Sequence, residues 1–373
     1  MRVLNIIQKP QRRGAETFAC DLGWWLRRAG HAARIVTLYG HDGPRPRLAD
    51  DDVVLDCNQA GGLERVVDPV LLWRLVREIR RFRPDVVQCN GGRTVKYGAL
   101  ARHAAPKALW VYRNIDSPRF WLKSRRARLI MPLVMKSGFD AAVGVSETTL
   151  REVHAAYGFQ DASRAIPNGV DFLRLDTQTT SVADRPLGMT GGISVVWVGA
   201  LGPQKRPDVA VEVLRRLPPD TTLTMVGEGP WRQRVAAAVE SARLGDRVWL
   251  AGNREDVGPL LRSADLLLMT SDTEGIPAVA VEAQHCGLPV VAFDVGGLRE
   301  CVPHEGPGTL VRHGDLDALA SAVVAVGRQA RSDESRAQCV AWADAFSIER
   351  IGPKYLEFFE EQRRRRGLDV SDG

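Results

Sequence analysis

Short apolar runs alternate with segments of helical periodicity along almost the whole chain. In the first half the runs are VLNII (3–7), ARIVTL (33–38), DVVQCN (85–90), ALWVYRN (108–114) and AAVGVS (141–146). Between them lie amphipathic patterns such as AETFACDLGWWLRRAG (15–30) and PVLLWRLVREIRRF (69–82). The second half repeats the style with ISVVWVGA (193–200), TTLTMVG (221–227), VWLAG (248–252), DLLLMTS (265–271) and PVVAFD (289–294). Strands this continuously Val/Ile/Leu-rich belong in a parallel sheet covered on both faces. Two such series predict an α/β protein of two doubly wound domains. The polar, aperiodic stretch 172–191 marks the break, giving domains of 1–175 and 186–350. Ligands of such folds bind at the carboxyl ends of the strands, so the expected site is a cleft between the two domains.

At 373 residues the chain is long enough for two domains, each with its own core. Its 45% hydrophobic and 26% charged content is that of a globular protein. The net charge of +6 is compatible with an anionic ligand or surface. Nucleic acid is not expected, since the basic residues form no recognised motif and no aromatic stacking platform. Six scattered cysteines (Cys20, Cys57, Cys89, Cys286, Cys301, Cys339) make no CxxC and read as reduced, buried thiols. The N-terminal apolar run is too short for a signal segment, and no stretch is long enough to span a membrane, so the expectation is cytoplasmic. One stretch, RFWLKSRRARLIMPLVMK (119–136), has six basic residues and no acidic one. It reads either as a solvated helix covering the sheet or as a peripheral contact with an anionic membrane.

The segment TEGIPAVAVEA (273–283) carries Glu274 and Glu282 around a strand-to-helix turn. Gly275 permits close backbone approach and Pro277 suits the first helical turn. The amides of Ile276, Pro277's neighbours Ala278 and Val279, and the helix dipole make a phosphate cradle. Glu282, roughly 7 Å along the axis, would reach a ribose. Two readings stay open for the glutamates: an acid/base pair, or two acceptors gripping a polyhydroxylated ligand. A second candidate is VGALGPQKRPD (198–208), where Lys205 and Arg206 open a helix. Cations there oppose the dipole by about 0.3–1 kcal/mol, which makes sense if an anion lies between. A third is Arg13-Gly14-Ala15, a tight turn into a helix without a full GxGxxG. Asp315-Leu316-Asp317 is the one literal Asp-x-Asp weighed as a metal motif, and helix capping accounts for it.

Taken together these segments, with PDVVQCNGG (84–92), VGVSETTLREV (143–153), IPNGVD (166–171), TMVGEGP (224–230) and VWLAGNREDV (248–257), resemble the family-4-type retaining glycosyltransferases of the GT-B fold. The resemblance covers nearly the whole chain. It implies a GT-B fold, two Rossmann-like domains facing across a cleft, with the last helix (about 352–373) crossing back onto the first. It implies a nucleoside diphosphate sugar as co-substrate, UDP ahead of GDP on general frequency, and neither metal nor cofactor. By that likeness Glu282 binds the ribose, while Glu274 and the backbone of Gly275, Ile276, Pro277, Ala278 and Val279 hold sugar and diphosphate. Lys205 and Arg206 neutralise the leaving group, and Gly14 approaches it. Gly227, Glu228, Asn253 and Val257 surround the base. Asn90, Arg113 and Asn114 stand on the acceptor side, where the family often has histidines. The glutamates then act as ligand clamps rather than a glycosidase pair, whose carboxyls flank a scissile bond. The acceptor is a sugar, a lipid-linked saccharide or a small molecule. The competing readings are a GT-B nucleotide-sugar epimerase and a non-catalytic nucleotide-sugar-binding or membrane-associated scaffold.

Overall fold

The computed structural model describes residues 1–43, 45–56, 67–115, 118, 124–178, 192–303, 306–330 and 332–368. The chain divides into two compact units, residues 1–170 with 348–373, and residues 171–347.

In the first unit seven strands form one parallel sheet: β1 (Arg2–Ile7), β2 (Ala32–Tyr39), β3 (Val53–Asp56), β4 (Val86–Asn90), β5 (Leu109–Asn114), β6 (Ala141–Gly144) and β7 (Ser163–Ala165). Their order is β3-β2-β1-β4-β5-β6-β7. β4 and β5 are buried at every position, as strands with helices on both faces must be. One face is covered by α1 (Gly14–Arg28) and the last helix, α14 (Ile348–Arg365), through Phe18, Leu22, Trp25, Tyr355, Phe358 and Phe359. Gly352 is required there, because a Cβ would sit 2.3 Å from the Trp25 ring. The other face is covered by α2 (Pro69–Phe82), α3 (Val95–Ala101), α4 (Arg125–Gly138) and α5 (Glu147–Tyr157), through Leu75, Ile79, Tyr97, Met135 and Val153. The first part of the basic stretch, residues 119–123, lies outside the described residues.

The second unit holds β8 (Ser194–Val198), β9 (Thr222–Val226), β10 (Val248–Gly252), β11 (Leu266–Met269), β12 (Val290–Phe293) and β13 (Thr309–Val311). Their order is β10-β9-β8-β11-β12-β13, again all parallel. One face of this sheet packs on α7 (Pro207–Leu214), α8 (Arg232–Ser241) and α12 (Leu316–Gln329). Also in this unit are α9 (Val257–Arg262), α10 (Ala278–His285), α11 (Leu298–Cys301) and α13 (Asp333–Asp344).

The stretch expected to link the domains begins as a helix. Phe172–Asp176 form α6, which packs on α9 and α10 inside the second unit. Leu175 is buried there and the Phe172 ring stacks on His285 at 3.9 Å. Residues 171–175 therefore belong with the second unit, and 348–350 with the first. Residues 179–191 lie outside the described residues.

Five cysteines are free thiols, and Cys57 lies outside the described residues. Burial pushes the Cys286 thiol up to about 11 and those of Cys89 and Cys339 to about 12. Burial raises Cys20 and Cys301 as well. The thiolate is the nucleophile, so these five should resist iodoacetamide at pH 8 in the native protein and react once guanidinium unfolds it. Rapid native labelling at any of them, read by peptide mass spectrometry, would contradict this burial.

Candidate functional site

Both sheets have the strand order of a dinucleotide-binding fold. In the second unit the order reverses at β8, which has β9 on one side and β11 on the other. Connections leave the two strands in opposite directions, so a crevice opens at their carboxyl ends. Two loops enter it, residues 199–206 after β8 and residues 270–277 after β11.

These loops are tied to each other. The Thr270 hydroxyl donates to the carbonyls of Lys205 (3.0 Å) and Arg206 (2.8 Å). The Lys205 ammonium lies 2.5 Å from Oε1 of Glu274, which also accepts the Ser271 hydroxyl at 2.6 Å. Glu274 is buried, and Lys205 is about a quarter exposed. The backbone beneath Glu274 is fixed from a third loop: Gly297 N–H donates to its carbonyl at 3.1 Å.

Arg206 differs from Lys205. It caps α7 in the left-handed region (φ 49°), a strained setting for a side chain of this size. Its guanidinium pairs with Asp208 (3.0 Å) and Asp272 (3.4 Å), and Asp272 also meets His313 at 3.0 Å. The anion expected beside this helix start is thus partly supplied by the protein itself. Of the two cations, Arg206 has two carboxylates and Lys205 has one.

Pro277 is the N-cap of α10 rather than its first residue, with extended backbone (ψ 118°). The chain must turn there from the buried Gly275-Ile276 segment into the helix. The amides of Ala278 and Val279, in the first helical turn, meet no acceptor among the described residues. Further along α10, Glu282 is half-buried and pairs through Oε1 with Arg174 of α6 at 3.1 Å. Among the described residues no side chain donates to its Oε2.

Glycines join the ends of β8, β9 and β10. Gly199 donates to Val226 (2.9 Å) and Gly227 donates to Gly252 (2.8 Å). Gly227 has φ +133°, and a Cβ on it would lie 1.9 Å from the Gly199 carbonyl. Glu228 is half-buried and pairs with Arg232 at 2.7 Å, Asn253 is exposed, and Val257 begins α9 half-buried. These side chains line up at the ends of β9 and β10.

In the first unit, exposed Gly14 is the first residue of α1. Asn90 ends β4, and Arg113 and Asn114 end β5, but all three are buried. Arg113 donates to Tyr355 Oη (3.0 Å) and Asn90 Oδ1 (3.1 Å), contacts Asn168, and lies 4.2 Å over the Phe18 ring. Asn114 donates to the Thr149 carbonyl (3.2 Å) and accepts from Tyr112 (2.9 Å). Neither the Arg113 nor the Asn114 side chain reaches solvent. Arg113 ties α14 to the sheet, because a fully buried guanidinium must find acceptors and Tyr355 and the asparagines supply them.

Asp315 caps α12 by accepting the Ala318 amide at 2.9 Å, and Asp317 pairs with Arg216 at 3.0 Å. The Asp-x-Asp is thus a helix start.

Two family models match the chain. The one described as glycosyl transferases group 1 matches residues 192–328, and the one described as glycosyltransferase family 4 matches residues 12–174. A UDP-Gal:alpha-D-GlcNAc-diphosphoundecaprenol alpha-1,3-galactosyltransferase of Escherichia coli is 30% identical over 282 residues, covering 70% of this chain and 71% of that protein. The chain belongs to the family 4 glycosyltransferases. A 2-deoxystreptamine N-acetyl-D-glucosaminyltransferase of Streptomyces fradiae is 37% identical over 146 residues. That match covers 37% of this chain, which spans about a third (35%) of the relative's length. Among solved structures, Anabaena HepE in complex with UDP and glucose matches with a TM-score of 0.80 at 23% identity, over 97% of this chain and 100% of that one. The likeness is one of fold, and the fold is GT-B.

Several residues of this family-4 chain's site were not foreseen from sequence. Ser271 and Gly297 hold Glu274, Arg174 holds Glu282, and Asp208 and Asp272 hold Arg206. Ser271 and Asp208 alone had a local signal, three and two residues from the groups they contact.

Proposed function

We propose that the protein is a retaining glycosyltransferase, moving a sugar from a nucleoside diphosphate sugar to a hydroxyl acceptor in glycan, lipid-linked saccharide or glycoconjugate synthesis. The observation that carries this reading is the Lys205–Glu274 pair at the strand-order switch point, beside the first turn of α10.

Cleaving a sugar–diphosphate bond sends an electron pair to the phosphate oxygen and leaves an oxocarbenium-like sugar. A fixed ammonium and helix amides stabilise the negative end of that transition state. Lys205 supplies the charge without a metal ion. Glu274, retained by Ser271, accepts sugar hydroxyls once the diphosphate draws Lys205 away. Glu282 accepts the ribose diol through the oxygen that Arg174 leaves open. Arg206, already paired, adds long-range positive charge. Gly227, Glu228, Asn253 and Val257 border the base. In a retaining reaction the acceptor attacks on the face the diphosphate leaves, and a phosphate oxygen takes the acceptor's proton.

The donor base is read as uracil. The Escherichia coli relative is named for UDP-Gal, and HepE holds UDP. The E. coli relative's diphosphoundecaprenol-linked acceptor supports a lipid-linked saccharide as acceptor class.

Thermal unfolding with UDP, GDP, ADP and dTDP, each with and without EDTA, tests this. A nucleotide at a hundred times its dissociation constant adds about 2.7 kcal/mol of stability. UDP should raise the midpoint equally with EDTA present. An EDTA-sensitive shift would remove the metal-free part, and no shift with any nucleotide would remove the donor site. In the same assay Glu282→Ala should bind UDP about 10–100-fold more weakly, the worth of about 1.5–3 kcal/mol of charged hydrogen bonds. Unchanged affinity would take Glu282 out of the site. An inverted anomeric centre in the product, read by NMR, would overturn retention.

A further inference from the structure

The outer surface of the first unit's helical layer is unusual. Nine large apolar side chains are exposed among the described residues, and six of them lie on three helices: Val70 and Trp73 on α2, Leu100 on α3, and Leu129, Ile130 and Leu133 on α4. Leu129 is 76% exposed, Leu133 69% and Trp73 59%. The three helices cover the same face of the sheet, with α3 packed against both α2 and α4. At the usual 8–10 Å between helix axes, the six residues span a surface about 20 Å wide.

The exposed charges on α2, α3 and α4 have one sign, while α5, beside α4, adds Glu147 and Glu152 at the edge. Arg77, Arg80 and Arg81 on α2 and Arg125, Arg128 and Lys136 on α4 are exposed. The only carboxylate in the three helices is Glu78, and it is buried, facing Arg34 at 3.7 Å. Arg77 lies over the Trp73 ring at 5.0 Å. On α4, Leu129 and Leu133 stand one turn apart at the middle of the exposed face, with Arg125 and Lys136 on the same side. No helix among the described residues is long and apolar enough to cross a membrane.

We propose that the outer face of α2, α3 and α4 docks on an anionic lipid bilayer. The leucines and Trp73 enter the boundary between headgroups and acyl chains, and the arginines and Lys136 meet lipid phosphates. A monomer does not expose such a surface without use. A second copy of this chain is a poor occupant, because an isologous contact would oppose like-charged faces. Anionic lipid matches the charge and the apolar content together. The inference stands apart from the sugar-transfer reading and is tested without a donor.

The test is co-sedimentation of the full chain with sucrose-loaded vesicles of phosphatidylcholine, alone or with 30 mol% phosphatidylglycerol, at about 0.1 M and 0.5 M salt. Binding should be at least about tenfold tighter with phosphatidylglycerol and fall at high salt. Arg77→Gln/Arg128→Gln/Lys136→Gln should weaken it about 100-fold, at about fivefold per cation removed. Trp73→Ser/Leu129→Ser/Leu133→Ser should weaken it at least about tenfold, even at low salt. All six residues are exposed, so both variants should keep the wild-type melting temperature. Loss of folding in one variant leaves the other as the test. Wild-type protein that ignores the phosphatidylglycerol vesicles, or both variants binding as wild type does, would overturn the proposal. A wild-type dimer that the serine variant converts to monomer would reassign the surface to self-association.

Discussion

Lys205→Ala is expected to lower kcat/KM by about 10²–10³, the usual cost of removing one group aimed at developing negative charge. The effect should fall on kcat more than on KM, because the charge Lys205 meets is largest in the transition state. The substitution also leaves Glu274 buried without its cation, beside the Ser271 hydroxyl. An unpaired buried carboxylate costs stability, so the melting temperature should drop too. Lys205→Ala/Glu274→Gln separates the effects. It removes the stranded charge and should recover the melting temperature but not the rate. If Lys205→Ala keeps wild-type kcat with a saturating donor, Lys205 is a structural partner of Glu274, and the charge on the leaving diphosphate is met elsewhere. Arg206→Ala should be milder, since Asp208 and Asp272 already engage that guanidinium.

Gly296→Ala should be nearly as damaging, though this residue touches no expected ligand. Gly296 has φ +56°, and a Cβ there would lie 1.8 Å from the Glu274 carbonyl oxygen. The left-handed backbone costs an alanine about 1–2 kcal/mol, and relieving the overlap brings the loss to about 2–4 kcal/mol. Relief comes by moving the 295–297 loop away from Glu274 or by moving Glu274 itself. The second route pulls its carboxylate off Lys205. The expected result is a lower melting temperature together with at least a tenfold loss of turnover in the folded protein. A destabilised variant with normal turnover would mean that the loop yields alone and Glu274 holds its place through Ser271 and Lys205.

Both predictions concern contacts made by residues far apart in the chain, and this separates what was readable from what was not. The strands that carry the site were legible. VLNII, DVVQCN and ALWVYRN became β1, β4 and β5, and DLLLMTS became β11, because strands buried on both faces must be apolar throughout. Helices α1 and α2 were legible from their periodicity. The three-to-four-residue strands β3, β7 and β13 were not, since such short runs carry too little pattern to stand out. Pro277 was placed one position too far into its helix, because proline satisfies the steric demands of both N-cap and first turn.

The site was legible as a set of residue types. An E-x7-E around a Gly-Pro turn and a Lys-Arg pair after a strand announce anion and hydroxyl recognition wherever they fold together. Their pairing was not legible. Lys205 meets Glu274 across 69 positions, and Arg174 meets Glu282 across 108. Both meetings depend on which strands become neighbours. The setting of Arg113 was not legible either: a cation at a strand end carries no local sign of burial, and here it packs under α14. The apolar residues of α4 were visible in sequence, but the sign of their exposure was not, because periodicity gives the faces of a helix without saying which one meets the core. The sequence alone thus determined the element types, the two-sheet architecture and the chemistry on offer, all of which follow from local sterics and burial periodicity. Strand order, the Lys205–Glu274 and Arg174–Glu282 pairs, the burial of Arg113 and the exposed basic-apolar layer were decided by tertiary structure, because each depends on contacts that exist only once distant segments have packed.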